Sequence, residues 1–259
     1  MPRMDLYIKE NKKAMMGKVV VQIYEIQEPA EAEQLLEIGV DHIGSVILNE
    51  KEWRSEKIKE VVSVCQGEGK KSSIIFLFHD MDAIQRAIEY YRPDIVHFCD
   101  NVSSGEIEGH VQRQAVLKES FPDIMIMRSI PVPLKGEPLP LPVSNIKEFE
   151  SCTDIFLIDT YVSNAPVSGY IGITGKTCDW HMAKGIVKIS SRPVILGGGL
   201  NPLNVYEAIS MVRPYGVDSC SGTNATDKDG RPIRFRKDMD RVRRFVEECR
   251  RYEREKAVD

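Results

Sequence analysis

Short apolar segments alternate with longer amphipathic segments along most of the chain. Each short segment is rich in Val, Ile, Leu or Phe and is apolar on both faces, a pattern typical of parallel strands covered by helices. These segments predict eight strands, at residues 19–24, 41–48, 72–78, 94–99, 123–129, 154–159, 192–196 and 215–219.

The longer segments predict a helix after each strand. The first carries an apolar stripe and closes at Gly39, a residue typical of the position just after a helix. Asn201 and Pro202 predict an N-cap with proline at the first helical position. The other predicted helices cover residues 55–65, 81–91, 106–120, 144–151, 178–190, 202–212 and 236–253.

Strict alternation of eight strand–helix units within 259 residues predicts an α/β fold, a (β/α)8 TIM barrel in a single domain. We place the barrel at residues 18–255 and a polar N-terminal extension at residues 1–17. A doubly wound open sheet is the main alternative, but it requires a glycine-rich turn early in the chain. Residues 18–27 contain no glycine, which favours the barrel.

Two segments interrupt the alternation. Residues 130–143 contain five prolines and predict an extended loop or flap after strand five. Residues 160–175 carry glycines and predict a loop after strand six that is long enough to act as a lid. Both segments follow the C-terminal ends of strands, where barrels of this kind place their active sites.

Composition is that of an ordinary soluble protein, with 42% hydrophobic and 29% charged residues and a net charge of −4. This balance gives no reason to expect a nucleic-acid partner. No stretch approaches the roughly 20 apolar residues of a membrane helix. We interpret the basic C-terminal segment as a solvated helix face, because its arginines alternate with glutamates; they are Arg241, Arg243, Arg244, Arg250 and Arg251.

The cysteines and histidines give no sign of a metal site. The six cysteines are scattered without a CxxC pair, so we expect free thiols in a reducing cytoplasm. His79, Asp80 and Asp100 lack the spacing of a metal-binding motif. No metal and no other cofactor is expected.

Two loops near the C-terminus carry the strongest local signal. Residues 195–202 read Ile-Leu-Gly-Gly-Gly-Leu-Asn-Pro, and residues 217–222 follow strand eight. Glycines after a strand let backbone N–H groups close on an anion. Either motif alone also fits a tight turn, but loops seven and eight together are the usual phosphate site of a barrel. The pair predicts a phosphorylated small molecule as ligand.

At these motifs the sequence resembles the phosphoribosylanthranilate isomerase family, whose members rearrange a phosphoribosylamine to a ketose in tryptophan biosynthesis. Residues 157–160 resemble the strand-six motif that carries the general acid of that family. Residues 172–180 resemble its GGTGxxFDW segment, residues 197–205 its GGLxPxNV loop and residues 216–222 its GVDxSSG segment. The similarity spans roughly residues 18–250 and is specific over about residues 154–222.

The resemblance implies residue roles, and we expect a catalytic acid at Asp159. It also implies substrate binding at Asp218 and at Arg54, which stands where the family has an arginine. The implied phosphate-binding residues are Gly175, Gly197, Gly198, Gly199, Ser219, Ser221 and Gly222.

The chain departs from the family at the end of strand one. The family motif there is Lys-Ile-Cys-Gly, and its cysteine is the general base, whereas this chain reads Gln-Ile-Tyr-Glu over residues 22–25. Tyr24 therefore occupies the place of the base, although a phenol with a pKa near 10 is a poor base at neutral pH. Glu25 is the alternative base, since a carboxylate is ionised at pH 7. Cys99, on strand four, is a third candidate base, since its thiol could replace the missing cysteine.

Two functions remain open on the sequence. The first is acid–base isomerisation of a phosphorylated sugar adduct, with the family reaction run by a substituted base. The second is a diverged phosphate-binding barrel with a lyase-like or aldolase-like reaction, or with binding alone. The end of strand one discriminates between them. We expect a monomer or a homodimer.

Overall fold

The computed structural model describes residues 18–138, 145–163 and 167–257. The predicted extension at residues 1–17 and part of the proline-rich segment, residues 139–144, lie outside the described residues. Eight parallel strands close into a barrel in chain order, with the first strand paired to the eighth. The predicted single-domain (β/α)8 fold is confirmed.

The barrel strands are short, and their residues alternate between the helical shell and the interior of the barrel. One hydrophobic cluster inside the barrel includes Tyr24, Val46, Leu157 and Ile195. The strands are β1 (Val20–Ile23), β2 (His42–Ile47), β3 (Lys71–Phe76), β4 (Ile95–Phe98), β5 (Met125–Val132), β6 (Ile155–Thr160), β7 (Val194–Leu196) and β8 (Gly216–Ser219).

The helices pack their apolar stripes on the outside of the barrel. The N-caps of several are aspartate or serine side chains, as at Asp80, Asp179 and Asp238, each of which accepts backbone N–H bonds of the first turn. The helices are α1 (Pro29–Ile38), α2 (Glu56–Gly67), α3 (Met81–Tyr91), α4 (Ile107–Ser120), α5 (Asn145–Phe149), α6 (Trp180–Ile189), α7 (Val205–Val212) and α8 (Met239–Lys256).

Three predicted elements have a boundary that is wrong by three residues, and one of them is α8, which starts at Met239 and not at residue 236. Strand β5 runs to Val132, beyond the predicted end at residue 129, because residues 127–132 pair with β6 through Thr160. Helix α7 begins at Val205 after an N-cap at Asn204, one turn later than predicted. The Asn204 side chain accepts from the Asn201 N–H at 2.8 Å and donates to the Gly199 carbonyl, which holds residues 201–204 as a turn.

A cluster of ion pairs lies at the opposite end of the barrel from the predicted site. The Asp41 carboxylate, just ahead of β2, accepts from Lys18 at 2.8 Å and from Lys70 and Arg250 at 2.9 Å. Arg250 comes from α8, so the cluster ties the last helix to the first strands. These contacts hold the pKa of Asp41 well below its usual range, even though burial opposes ionisation.

The charged segment after β8 forms a hairpin that the family resemblance did not predict. Strands β9 (Asn224–Thr226) and β10 (Pro232–Lys237) pair antiparallel and precede α8. The hairpin lies at the C-terminal end of β8, on the face where the site is predicted. None of the described helices has the length and apolar content needed to span a bilayer.

Candidate active site

A cavity opens inside the barrel at the C-terminal ends of the strands. Its walls are largely apolar, and the loop after β6 covers it with Tyr170, Ile171 and Ile173. That loop is held to the end of β4 by the bond from the Ile171 N–H to the Cys99 carbonyl at 2.8 Å. The titratable groups that line the cavity are Tyr24, Glu25, His97, Cys99, Asp159, Tyr170, Asp218 and Cys220.

Tyr24 belongs to a buried polar network across the barrel interior. Its hydroxyl lies 2.6 Å from Ser73 Oγ and 2.7 Å from His97 Nδ1, and His97 Nε2 lies 2.8 Å from Ser129 Oγ. Burial raises the pKa of Tyr24 well above its usual value and lowers the pKa of His97 to about 3. Both groups are therefore neutral near pH 7, and neither is a ready base.

The Tyr24 ring takes the space above Gly44 on β2. A Cβ atom at position 44 would lie 2.2 Å from the ring, far closer than atoms approach one another. Tyr24, which follows β1, thus fits because the neighbouring strand β2 has a glycine at position 44. Sequence reasoning identified Tyr24 and missed this partner.

Glu25 is buried, and its backbone adopts a left-handed φ of 66°. Its Oε1 lies 2.6 Å from the Arg234 guanidinium of the β9–β10 hairpin, and its Oε2 lies 3.4 Å from Asn224 Nδ2. The Phe235 N–H also donates to Glu25 at 3.4 Å. This carboxylate lines the cavity, but its contacts make it the anchor of the hairpin.

Asp159, the predicted acid, lies half-buried at the end of β6. Its Oδ1 accepts from the Thr160 N–H at 2.7 Å. A Cβ atom at Gly172 would lie 2.1 Å from Asp159 Oδ2, so only glycine lets the covering loop approach this closely. Burial raises the pKa of Asp159 to about 6, and the Thr160 N–H partly offsets that effect.

Asp218 lies on β8, separated from Asp159 by strand β7. Gln22 Nε2 donates to its Oδ1 at 3.1 Å, and Gln22 Oε1 lies 3.3 Å from His42 Nδ1. Burial and the charge of Asp159 raise the pKa of Asp218 to about 7, against the Gln22 hydrogen bond and the Lys237 charge. Two carboxyl groups with raised pKa values thus line one cavity, an arrangement suited to acid–base chemistry.

The two cavity thiols are poor nucleophiles and poor bases. Burial raises the pKa of both Cys99 and Cys220 well above the usual thiol value. Neither lies where strand one ends, so neither takes the position of the family cysteine.

Several polar and charged side chains near the C-terminal ends of β3, β4 and β5 have structural roles. Arg128 is buried and pairs with Asp100 at 2.8 Å, and His110 contacts the same carboxylate at 2.8 Å. Asp80 caps α3. Each of these residues has a charged or backbone partner outside the cavity. The His79 ring stacks on Tyr170 in the covering loop.

A second pocket, of about 440 Å³, lies beside the first, between the loops after β6, β7 and β8. Four of the predicted phosphate-binding residues line it, namely Gly175, Gly199, Ser221 and Gly222. Gly199 adopts a left-handed φ of 62°, and a Cβ atom at Gly222 would lie 2.0 Å from the Leu200 carbonyl. The loops meet so closely that their backbone groups form the floor of the pocket.

The other three predicted phosphate-binding residues do not line this pocket. The Gly197 N–H donates to the Ile158 carbonyl at 2.7 Å, and a Cβ atom at Gly198 would lie 2.3 Å from Thr160 Oγ1. The Ser219 hydroxyl donates to the Leu200 carbonyl at 2.8 Å. These residues pack β6, β7 and β8 together beneath the pocket.

Arg54 is not brought to the cavity. Its guanidinium lies 4.6 Å from the centre of the Tyr90 ring and 3.8 Å from Glu56, and its side chain is 65% exposed. Conversely, Arg241 and Arg244 on α8 line the loop pocket, although the sequence placed them on a solvated helix face. Arg241 and Arg244 lie three residues apart in the first turns of the helix that follows loop eight. That spacing was the sequence signal that could have identified them.

Comparison with known proteins agrees with this geometry. Residues 21–248 match the model of the family described as N-(5'-phosphoribosyl)anthranilate (PRA) isomerase. The chain is 28% identical over 240 residues to N-(5'-phosphoribosyl)anthranilate isomerase 1 of Methanosarcina mazei, which covers 90% of this chain and 95% of that protein.

Solved structures share the fold. Phosphoribosyl anthranilate isomerase from Thermotoga maritima superposes with a TM-score of 0.64 at 22% identity, over 89% of this chain and 98% of that one. An isomerase solved with reduced 1-(o-carboxyphenylamino)-1-deoxyribulose 5-phosphate gives a TM-score of 0.61 at 20% identity, with the same coverage. Because the family model matches most of its length, this chain belongs to the N-(5'-phosphoribosyl)anthranilate isomerase family.

Proposed function

We propose that the protein isomerises N-(5'-phosphoribosyl)anthranilate to the corresponding 1-amino-1-deoxyketose phosphate. Family membership supports the reaction class. The observation that carries the proposal is the pair of cavity carboxyls, Asp159 and Asp218, beside a glycine-walled pocket. One end of such a site holds a phosphate, and the other moves protons on a sugar.

The phosphate is proposed to lie in the loop pocket. Backbone N–H groups at Gly175, Gly199 and Gly222 and the Ser221 hydroxyl are suited to bind an oxyanion. Arg241 and Arg244 add positive charge at the rim of the pocket. Gly197, Gly198 and Ser219 support these loops from below.

Asp159 is proposed to be the general acid. In its protonated form it gives a proton to the ring oxygen of the ribosylamine, the bond from C1 to that oxygen breaks, and the nitrogen lone pair forms a C=N⁺ bond. A carboxyl held neutral by burial up to about pH 6 suits this role. Removal of the C2 proton then gives an enol amine, which becomes the ketose.

The two base candidates at the end of strand one have other partners. Tyr24 bonds to Ser73 and His97, and Glu25 pairs with Arg234. We therefore do not assign the base to either residue. Arg54 and Asp218 were expected to bind substrate, and of these two only Asp218 lines the cavity.

We further propose a cytoplasmic enzyme that works as a monomer or homodimer. All six cysteines are free thiols, which suits a reducing compartment. The isomerase of Thermotoga maritima is dimeric.

The test is turnover of N-(5'-phosphoribosyl)anthranilate generated in place, followed by loss of its fluorescence. We expect the wild-type protein to turn over, and we expect Asp159→Asn to lose about 10²–10⁴-fold in kcat, as for removal of a general acid. Binding of the reduced product analogue serves as the folding control. Analogue binding without wild-type turnover would mean that only the phosphate site is retained.

A further inference from the structure

We propose that Asp218 is the base that removes the C2 proton of the substrate, and that Gln22 is the residue that positions it. This inference rests on the proposed isomerase function. It replaces both base candidates from strand one with a carboxylate on strand eight.

The contacts of the other cavity groups leave Asp218 as the available base. Tyr24 and His97 are bonded to each other, and Glu25 is held by Arg234. Cys99, Cys220 and Tyr170 have raised pKa values, since burial disfavours their ionised forms. Asp159 and Asp218 remain, and the acid is assigned to Asp159.

One oxygen of Asp218 is fixed and the other is free to react. Gln22 Nε2 donates to Oδ1 at 3.1 Å, and no described residue donates a hydrogen bond to Oδ2. A Cβ atom at Gly197 would lie 3.6 Å from Oδ2, so the side chain runs along the open side of β7, where residue 197 has no side chain. A side chain at position 197 would therefore contact Asp218 Oδ2.

The orientation of Gln22 is set by a third residue. His42 Nδ1 lies 3.3 Å from the amide oxygen of Gln22, which turns the amide nitrogen toward Asp218. Burial lowers the pKa of His42 to about 4, so near pH 7 it is a neutral ring that still donates from Nδ1. The buried hydrogen-bond series His42–Gln22–Asp218 thus fixes the orientation of the Asp218 carboxylate.

The surroundings of the two carboxyls decide which one carries the charge. The charged and titratable groups around Asp218 are Asp159, Lys237, Tyr24 and Cys220, with Gln22 as the hydrogen-bond donor. Each carboxylate disfavours ionisation of the other, so the pair loses its protons in two steps and holds one proton between them. Gln22 and Lys237 stabilise the anion at Asp218, whereas Asp159 has only the Thr160 N–H. Burial raises the pKa of Asp218 further than that of Asp159, but the two deprotonation steps belong to the pair and not to either residue. We follow the hydrogen-bond geometry and place the shared proton on Asp159 when substrate is bound.

The reaction balances with that single proton. Asp159 gives it to the ring oxygen as the bond from C1 to that oxygen breaks and the C=N⁺ bond forms. Asp218 then takes the proton from C2, the C–H electrons form the C1=C2 bond, and the C=N⁺ electrons return to nitrogen. In the last step C1 receives a proton from Asp218 and the enol hydroxyl gives its proton to Asp159. No oxidant or reductant is needed.

The test compares Asp218→Asn with Glu25→Gln, two variants that neutralise a cavity carboxylate. We expect Asp218→Asn to lose about 10²–10⁴-fold in kcat and Glu25→Gln to lose less than about tenfold. Asp218→Asn should still bind the reduced product analogue, and Asp218→Glu should recover part of the activity. Loss of turnover in Glu25→Gln with activity kept in Asp218→Asn would overturn the assignment.

The positioning role of Gln22 has its own readout. Gln22→Met removes a bond that stabilises the Asp218 anion, so the acid limb of the kcat/KM profile should move to higher pH. Gln114→Met is the matched control, because Gln114 is equally buried but bonds to Thr153 at 3.1 Å outside the cavity. An unmoved limb in Gln22→Met would exclude the positioning role. Absence of wild-type turnover would instead contradict the isomerase function itself.

Discussion

The phenol of Tyr24 reaches across the barrel to strands β3 and β4, and its ring covers Gly44 on β2. The sequence identified the substitution of a tyrosine at the end of strand one. It did not identify the partners, because Ser73 and His97 lie 49 and 73 residues away and only barrel closure brings them together. The ion pair between Glu25 and Arg234 was missed for the same reason, because these residues lie 209 positions apart in the sequence.

The packing of Tyr24 against Gly44 predicts a strong coupling between these positions. Gly44→Ala should lower the free energy of unfolding by about 1–3 kcal/mol, as expected for overpacking a core. In a Tyr24→Cys background, the same substitution should cost much less, because the ring is gone. Urea denaturation of the four proteins measures this coupling.

The control for this double-mutant cycle of Gly44 and Tyr24 is Gly109→Ala. Gly109 lies in α4, and a Cβ atom there would meet nothing within 4 Å. This substitution should be neutral or stabilising by up to about 1 kcal/mol, since alanine is the better helix former. Equal costs of Gly44→Ala in the two backgrounds would exclude the steric account.

At the scale of elements, the apolar pattern predicted each strand and helix of the barrel, because period and length are local properties of a sequence. The start of α7 was predicted one turn early, since the proline signal at residue 202 could not reveal the reach of the Asn204 side chain. The basic segment of α8 was read as one solvated face. In the fold it serves three sites: Arg250 reaches Asp41, Arg251 pairs at the surface, and Arg241 lines the loop pocket.

The position of α8 predicts that two of its arginines bind the phosphate. Arg241→Met combined with Arg244→Met should raise KM about tenfold or more with little change in kcat, because the lost contact is the same in ground and transition states. The penalty should shrink in high salt, since Arg244 is exposed.

Arg243→Met is the matched control on the same helix, since this side chain faces Asp240 at 2.7 Å and does not line the pocket. It should leave KM within about twofold, because an exposed ion pair contributes little. A rise in KM in Arg243→Met as large as in the double variant would argue against a specific anion site.

At the scale of the whole molecule, the two ends of the barrel have different roles. The Asp41 cluster at one end ties α8 to the first strands, and the cavity with its loop pocket lies at the other. The sequence predicted the fold, and four of the seven residues that it proposed for phosphate binding line the loop pocket. It did not predict which carboxylate is free to act, because that depends on side chains from β1, β8 and the hairpin meeting in space.

In the proposed reaction, one proton shared by Asp159 and Asp218 drives the isomerisation. Burial raises the pKa of these carboxyls to about 6 and about 7, so both hold protons at low pH and neither does at high pH. The reactive form of the pair, which holds one proton, has its highest population at pH values between the two deprotonation steps. Activity must therefore fall on both sides of that range.

The most direct test is the pH dependence of kcat/KM of the wild-type protein with N-(5'-phosphoribosyl)anthranilate, from pH 5 to pH 9. We predict a bell-shaped profile with its maximum between the two carboxyl steps and a fall of about tenfold per pH unit well above them. A rate that climbs steadily to pH 9 would contradict the account, since that profile belongs to a phenol or thiol base such as Tyr24, Cys99 or Cys220.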